Sequence, residues 1–181
     1  KVVTVHDLIF IRHPELYPFL DRTIYNKKCR HACHVADMVV AVSEQTKRDL
    51  EELYFLPESR IKVIYQSGDA AFHAPVSPEK KAEVKKTYSL PGDFVLHVGT
   101  IEDRKNLISV VRALEQIPSV PLVVVGKKKG AFHKVNELIR EAGMQKRVLF
   151  LEDVKQEYLP ALYSHALVFV YPSLIEGFGI P

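Results

Sequence analysis

At ~150 residues per domain, 181 residues suffice for one large domain or one and a part. With 47% hydrophobic and 26% charged residues the chain has the composition of a packed globular protein, which excludes a disordered, collagen-like or coiled-coil one. The net charge of +3 is too small to mark a nucleic-acid surface, and two cysteines are too few for a disulfide framework, so a reducing compartment is expected.

The chain opens on a short β-branched run, Val2–Val5, that ends at His6 and Asp7. The aromatic and proline-rich stretch 10–19 reads as a loop packing on the core. Helical spacing over 25–34 leads to an apolar strand at 39–42, then to a helix over Glu44–Tyr54 with Ser43 as its N-cap and a strand at 61–65. Pro75, Pro78, Pro91 and Gly92 bracket a Lys-rich segment, 79–88, predicted as a short exposed helix in a linker. Beyond it, strands at 94–98, Leu122–Val125, Val148–Leu151 and 167–171 alternate with helices at 106–116, 134–142 and 155–165, the last capped by Asp153. The strands are short and apolar throughout, as strands buried on both faces are. No apolar run approaches the ~20 residues of a membrane helix.

This alternation predicts an α/β fold of doubly wound parallel sheets. Residues 1–75 carry ten basic and ten acidic side chains and residues 76–181 fifteen against twelve, so the positive excess sits in the second part. Ligands of such sheets bind beyond the strand C-termini, where loops and helix starts present free N–H groups. The loops to inspect are therefore His6 and Asp7, then 99–106, 126–130, 152–154 and 173–181.

The common phosphate motifs are absent. There is no Gly-x-Gly-x-x-Gly, and Gly126 to Gly130, with Lys127, Lys128 and Lys129 between, lacks the ending of a P-loop. No Asp-x-Asp pair offers a carboxylate clamp for a divalent ion, so a bound diphosphate would be neutralised by side-chain cations and helix dipoles. Arg104 and Lys105, at a helix start after the Gly99 strand end, suit that role, although Arg104 pairing with Glu102 or Asp103 in a solvated turn is the simpler reading. A second anion-suited turn runs from Glu176 through Gly177, Phe178, Gly179 and Ile180 to Pro181.

The order Val5-His6-Asp7-Leu8, Ala36-Asp37 before Val39-Val40-Ala41-Val42-Ser43, Val98-Gly99-Thr100 with Arg104-Lys105-Asn106, and Glu176-Gly177-Phe178-Gly179 resembles the GT-B glycosyltransferases of family 4. The resemblance spans nearly the whole chain. It implies two Rossmann-like domains, both incomplete here: 1–74 as the later part of an N-terminal acceptor-side domain, 75–91 as a linker region with a short helix, and 92–181 as the first part of a C-terminal nucleotide-sugar domain. The partner glutamate of the family's double-glutamate motif would fall beyond Pro181. The chain is therefore expected to be a fragment of a longer enzyme, inactive alone.

By the same resemblance the reaction is hexose transfer, with retention and without metal or other cofactor, from a nucleotide-diphosphate sugar to a glycan, a lipid-linked glycan or a small molecule. Arg104 and Lys105 match cations that hold the donor diphosphate. Preorganised groups aimed at growing charge contribute about 2.7–4 kcal/mol each. Many members carry a third cation where this chain has Thr100. Glu176 matches a carboxylate that accepts hydrogen bonds from sugar hydroxyls, with the amides of Phe178, Gly179 and Ile180 near sugar and phosphate. Gly177 and Gly99 belong to the donor loops, Val154 matches the place where backbone atoms read the base, and His6 matches a histidine that reaches the donor sugar. The implied setting is cytoplasmic, with peripheral contact at the inner membrane face. The competing reading is a noncatalytic nucleotide-binding or interaction module of the same fold.

Two further features are set aside on geometry. Cys29, His31, Cys33 and His34 have ligand chemistry, but helical spacing turns His31 away from the two thiols. The three lysines 127–129 read as a solvated loop.

Overall fold

The computed structural model describes residues 1–180. The elements in chain order are β1 (Val2–Val5), α1 (Ile9–Arg12), α2 (Phe19–Val35), β2 (Met38–Ala41), α3 (Glu44–Tyr54), β3 (Ile61–Val63) and α4 (Pro78–Thr87), followed by β4 (Val95–Val98), α5 (Leu107–Glu115), β5 (Leu122–Val125), α6 (Phe132–Glu141), β6 (Val148–Leu151), α7 (Leu159–His165) and β7 (Val168–Phe169). Every strand pairing is parallel, in one sheet of order β1-β2-β3 and another of order β6-β5-β4-β7. The chain divides into two compact units, Lys1–Gly68 with Ile175–Ile180, and Asp69–Leu174.

In the first unit the strands are added in one direction, and α2 and α3 pack against one face of the sheet. Cys33 of α2 and Leu50 and Tyr54 of α3 share a core with Val5, Val39, Ala41 and Ile61. Thr4 and Lys62 lie on the opposite face and are exposed. The Ser43 hydroxyl accepts the Thr46 N–H at 3.1 Å and caps α3 as the sequence predicts.

The second unit is wound both ways. Helices α5 and α6 bury Leu107, Val111, Val135 and Ile139 with Val95, Leu122 and Val124, while α4 and α7 bury Val84, Ala161 and Leu162 with Phe94, Leu96, Val123 and Val125. Adjacent residues of β4 and β5 thus point into different cores, so neither strand alternates: β5 is apolar throughout and β4 is apolar but for the buried His97. Each fully buried Leu or Val contributes about 1.5–3 kcal/mol.

Several expectations are corrected. Stretch 10–19 is not a plain loop: it holds α1, a 3-10 turn at Pro14–Leu16 and the start of α2 at Phe19. Asp7 accepts the Ile9 N–H at 3.1 Å, and Arg12 ties α1 to α3 through Asp49 at 2.9 Å and through Glu52. Asp153 does not cap a helix, having φ 53°. A 3-10 turn at Gln156–Tyr158 intervenes, and α7 starts at Leu159 with Pro160 in its first turn. The strand predicted at 167–171 pairs only over Val168–Phe169. Helix α4 is mostly exposed, as the sequence predicts, yet it is docked on the second unit: Val84 is fully buried, and His165 Nε2 donates to the Lys81 carbonyl at 2.9 Å. Burial on both strand faces holds for β4 and β5 but not for β1 or β3, whose sheet is covered by helices on one face.

Candidate functional site

In the second sheet β5 and β6 extend away from one side of β4, and β7 returns to its other side. The loops leaving β4 and β7 therefore meet at the strand C-termini, at the switch point where open α/β sheets bind ligands. Gly99 ends β4 at φ 147°, followed by a 3-10 turn at Asp103–Lys105 and then α5. Asn106 joins turn to helix in the left-handed region, φ 54°, which asparagine tolerates better than most residues.

The Arg104–Lys105 turn is stitched to the segment that follows β7. The Arg104 carbonyl accepts the Leu174 N–H at 2.9 Å and the Ser173 hydroxyl at 3.1 Å, Asn106 Nδ2 donates to the Pro172 carbonyl at 3.3 Å, and the Lys105 ammonium donates to the Tyr171 hydroxyl. The Arg104 guanidinium lies 3.6 Å from Glu102, the pairing that the simpler reading anticipated, with 18% of its side chain exposed. Both cations are thus presented at one strand end, beside the N-terminal turn of α5.

Gly126, the first residue beyond β5, has φ 154°, and a Cβ there would overlap the Gly99 carbonyl. The two glycines let neighbouring strand ends approach, a role not read for Gly126 from the sequence. One lysine of the loop behind it, Lys128, is paired locally. Lys128 pairs with Glu152 at 2.9 Å and lies over the rings of Phe132 and Phe150 at 5.3 and 5.8 Å. The Lys128 ammonium, then its backbone N–H, hold Glu152 below the usual carboxylate range. Lys134 pairs with Asp103 at 2.9 Å. Val154 is half-buried and packs against the α4–α7 core.

The remaining candidates lie in the first unit. His6 is exposed at the end of β1, and its carbonyl accepts the Thr46 hydroxyl at 3.2 Å. The 176–180 turn, grouped from sequence with the second lobe, makes its close contacts in this unit. A Cβ on Gly177 would overlap the His6 carbonyl, Phe178 lies 5.8 Å from the Tyr65 ring, and Gly179 takes φ 88°. Glu176 is half-buried, and Ile180 is exposed. The structure therefore brings Gly99, Arg104 and Lys105 together, and separately His6, Gly177 and Phe178. Pro181, the last residue of the turn, lies outside the described residues. On α2, Cys29 and Cys33 are free thiols on the packed side while His31 and His34 are exposed, so the four do not converge.

Residues 79–181, more than half of the chain, match the family described as glycosyl transferases group 1, and residues 1–71 match glycosyltransferase family 4. The chain belongs to the group 1 glycosyltransferases. This glycosyltransferase chain is 30% identical to O-antigen chain mannosyltransferase B of Escherichia coli over 99% of its own length and 49% of that protein's. It thus spans about half the length of such relatives. Among solved structures it is similar to sucrose-phosphate synthase of Thermosynechococcus elongatus, with TM-score 0.77, 24% identity and coverage of 99% of this chain and 46% of that one. It is also similar to Anabaena HepE in complex with UDP-glucose, with TM-score 0.73, 21% identity and coverage of 95% and 46%. At these identities the structural likeness establishes the fold: two parallel sheets of the GT-B glycosyltransferase type. No helix among the described residues is long and apolar enough to cross a membrane.

The sequence reading placed Ser173 in a ligand-side loop but did not single out Tyr171, Pro172 or the buried His97 as part of the site. The signal for Tyr171 and Pro172 was a Tyr-Pro-Ser step after a core strand. For His97 it was one titratable residue inside an otherwise apolar strand.

Proposed function

We propose that the protein to which this chain belongs is a retaining hexosyltransferase that moves a sugar from a nucleotide diphosphate to a glycan or lipid-linked glycan acceptor, without a metal. The observation that carries this reading is the Arg104–Lys105 turn, anchored through the Arg104 carbonyl to Ser173 and Leu174 at the switch point of a group 1 sheet. As the glycosidic bond breaks, negative charge grows on the diphosphate. A guanidinium and an ammonium held there meet that charge without reorganising. In this reading Gly99 permits close approach, Val154 marks the base-reading backbone, and Glu176 accepts hydrogen bonds from sugar hydroxyls. The amides of Phe178, Gly179 and Ile180 serve sugar and phosphate, Gly177 provides clearance for the turn, and His6 serves the sugar. The mannosyltransferase relative and the UDP-glucose complex of HepE support a hexose donor and a glycan acceptor. We place the reaction in the cytoplasm, at the inner membrane face when the acceptor is lipid-linked.

The test is sugar transfer by the full-length protein. Arg104→Ala and Lys105→Ala each lower kcat on the order of 10²–10³-fold, whereas Lys127→Ala and Lys129→Ala leave it within about twofold. Wild-type rates in both turn variants would refute the diphosphate role.

A further inference from the structure

Lysine is a flexible point charge, and a lysine that must meet a diphosphate loses rotamer freedom on binding unless something already orders it. Here Tyr171 does so. Its hydroxyl oxygen accepts from the Lys105 ammonium, which lies at the hydroxyl end of the ring, 4.6 Å from the ring centroid. The ring is itself held in place. It stacks on His97 at 5.9 Å and 27°, and on Phe169 at 5.9 Å and 19°. His97 is fully buried, and its Nδ1 lies 3.0 Å from the Val170 carbonyl. Because a carbonyl only accepts, Nδ1 carries the proton, which fixes the tautomer and the plane against which Tyr171 rests. Nε2 has no hydrogen-bond partner among the described residues, a desolvation cost that an apolar residue here would avoid. Gly99 completes the arrangement: a Cβ there would touch the Tyr171 ring at 3.5 Å and the Lys105 Cε at 3.9 Å.

We infer that Tyr171, backed by His97, is a positioning residue that holds the Lys105 ammonium ready for the donor diphosphate. This rests on the diphosphate reading of Lys105 above and adds to it which residues determine the orientation of that charge. Tyr171 acts through Lys105 and need not touch the substrate.

Pyrophosphate is the probe, because it presents the shared chemistry of any nucleotide-diphosphate donor. Its affinity for the full-length protein is measured by calorimetry for wild type, Lys105→Ala, Tyr171→Phe, Tyr171→Leu and the double variant Lys105→Ala/Tyr171→Leu. Tyr171→Phe keeps the ring and weakens binding by about threefold, and Tyr171→Leu, which loses ring and hydroxyl, by on the order of tenfold. In the Lys105→Ala background Tyr171→Leu has no further effect, since its work is done through the lysine. An equal effect of Tyr171→Leu with and without Lys105, or wild-type affinity in Tyr171→Leu, overturns the positioning role while leaving the diphosphate reading standing. Wild-type affinity in Lys105→Ala overturns the diphosphate reading itself. If Tyr171→Leu does not fold, Tyr171→Phe in the two backgrounds decides the same question, and its additivity with Lys105→Ala overturns the proposal.

Discussion

The two sheets begin from the same βα alternation and end differently. Within these 181 residues the first unit adds its strands in one direction, so right-handed crossovers leave α2 and α3 on a single face, and Thr4 and Lys62 on the other face are exposed in this chain. In the second unit the order reverses at β4. The reversal carries α7 to the face opposite α5 and α6, buries β4 and β5 on both sides, and brings the segment after β7 against the turn after β4. One topological event supplies both the two-sided core and the anchoring of the Arg104–Lys105 turn.

Breaking the buried side of this comparison gives the largest effect. Leu96→Ala, at a fully buried position of β4, costs about 2–5 kcal/mol, whereas Lys62→Ala on the open face of the first sheet changes stability by less than about 0.5 kcal/mol. Urea unfolding of the two variants checks the contrast, and equal costs would contradict the one-faced burial of the first sheet.

A smaller loss follows from the strand ends. Gly126→Ala drives a Cβ into the Gly99 carbonyl at a positive φ and costs about 1–3 kcal/mol. Gly130→Ala in the same loop, with nothing within 4 Å of its added Cβ, is neutral or stabilises by up to about 1 kcal/mol. Thermal melts of the pair separate close backbone approach from simple loop flexibility.

The smallest effect is a pH dependence. Burial chiefly, with the Lys105 charge adding to it, pushes His97 below its ordinary range despite the bond to Val170. A histidine depressed in the folded state imposes no penalty above its unfolded pKa of about 6.5. As pH falls below that value the unfolded chain takes up the proton and the folded one does not, so stability is lost until the folded pKa is reached. The slope is at most about 1.36 kcal/mol per pH unit. His97→Phe, which keeps an aromatic ring under Tyr171, should flatten the dependence of Tm on pH in this window, and an unchanged slope would place the titration elsewhere.

Much of this fold was legible from residue order alone. The runs Val2–Val5, Leu122–Val125 and Val148–Leu151 coincide with strands because contiguous β-branched and apolar side chains suit a pleated surface with helices above it. Ser43 announced α3 because a hydroxyl before a helix satisfies an otherwise unpaired N–H. Arg104 and Lys105 were visible as charges at a strand end, and the family resemblance was carried by motifs local in the chain. These are determined by neighbours along the sequence.

What the tertiary structure decided involves partners far apart in the chain. Tyr171 meets Lys105, His97 meets Val170, and Gly126 approaches Gly99, because β7 returns beside β4 while β5 lies on its other side. Lys128 has the same charge as Lys105, yet Glu152 from the end of β6 and the rings of Phe132 and Phe150 engage it locally. Composition and spacing determine where a cation can stand. Which groups engage that cation depends on what the crossovers deliver beside it, because Coulomb and ring interactions act through a few ångströms of space and not along the chain.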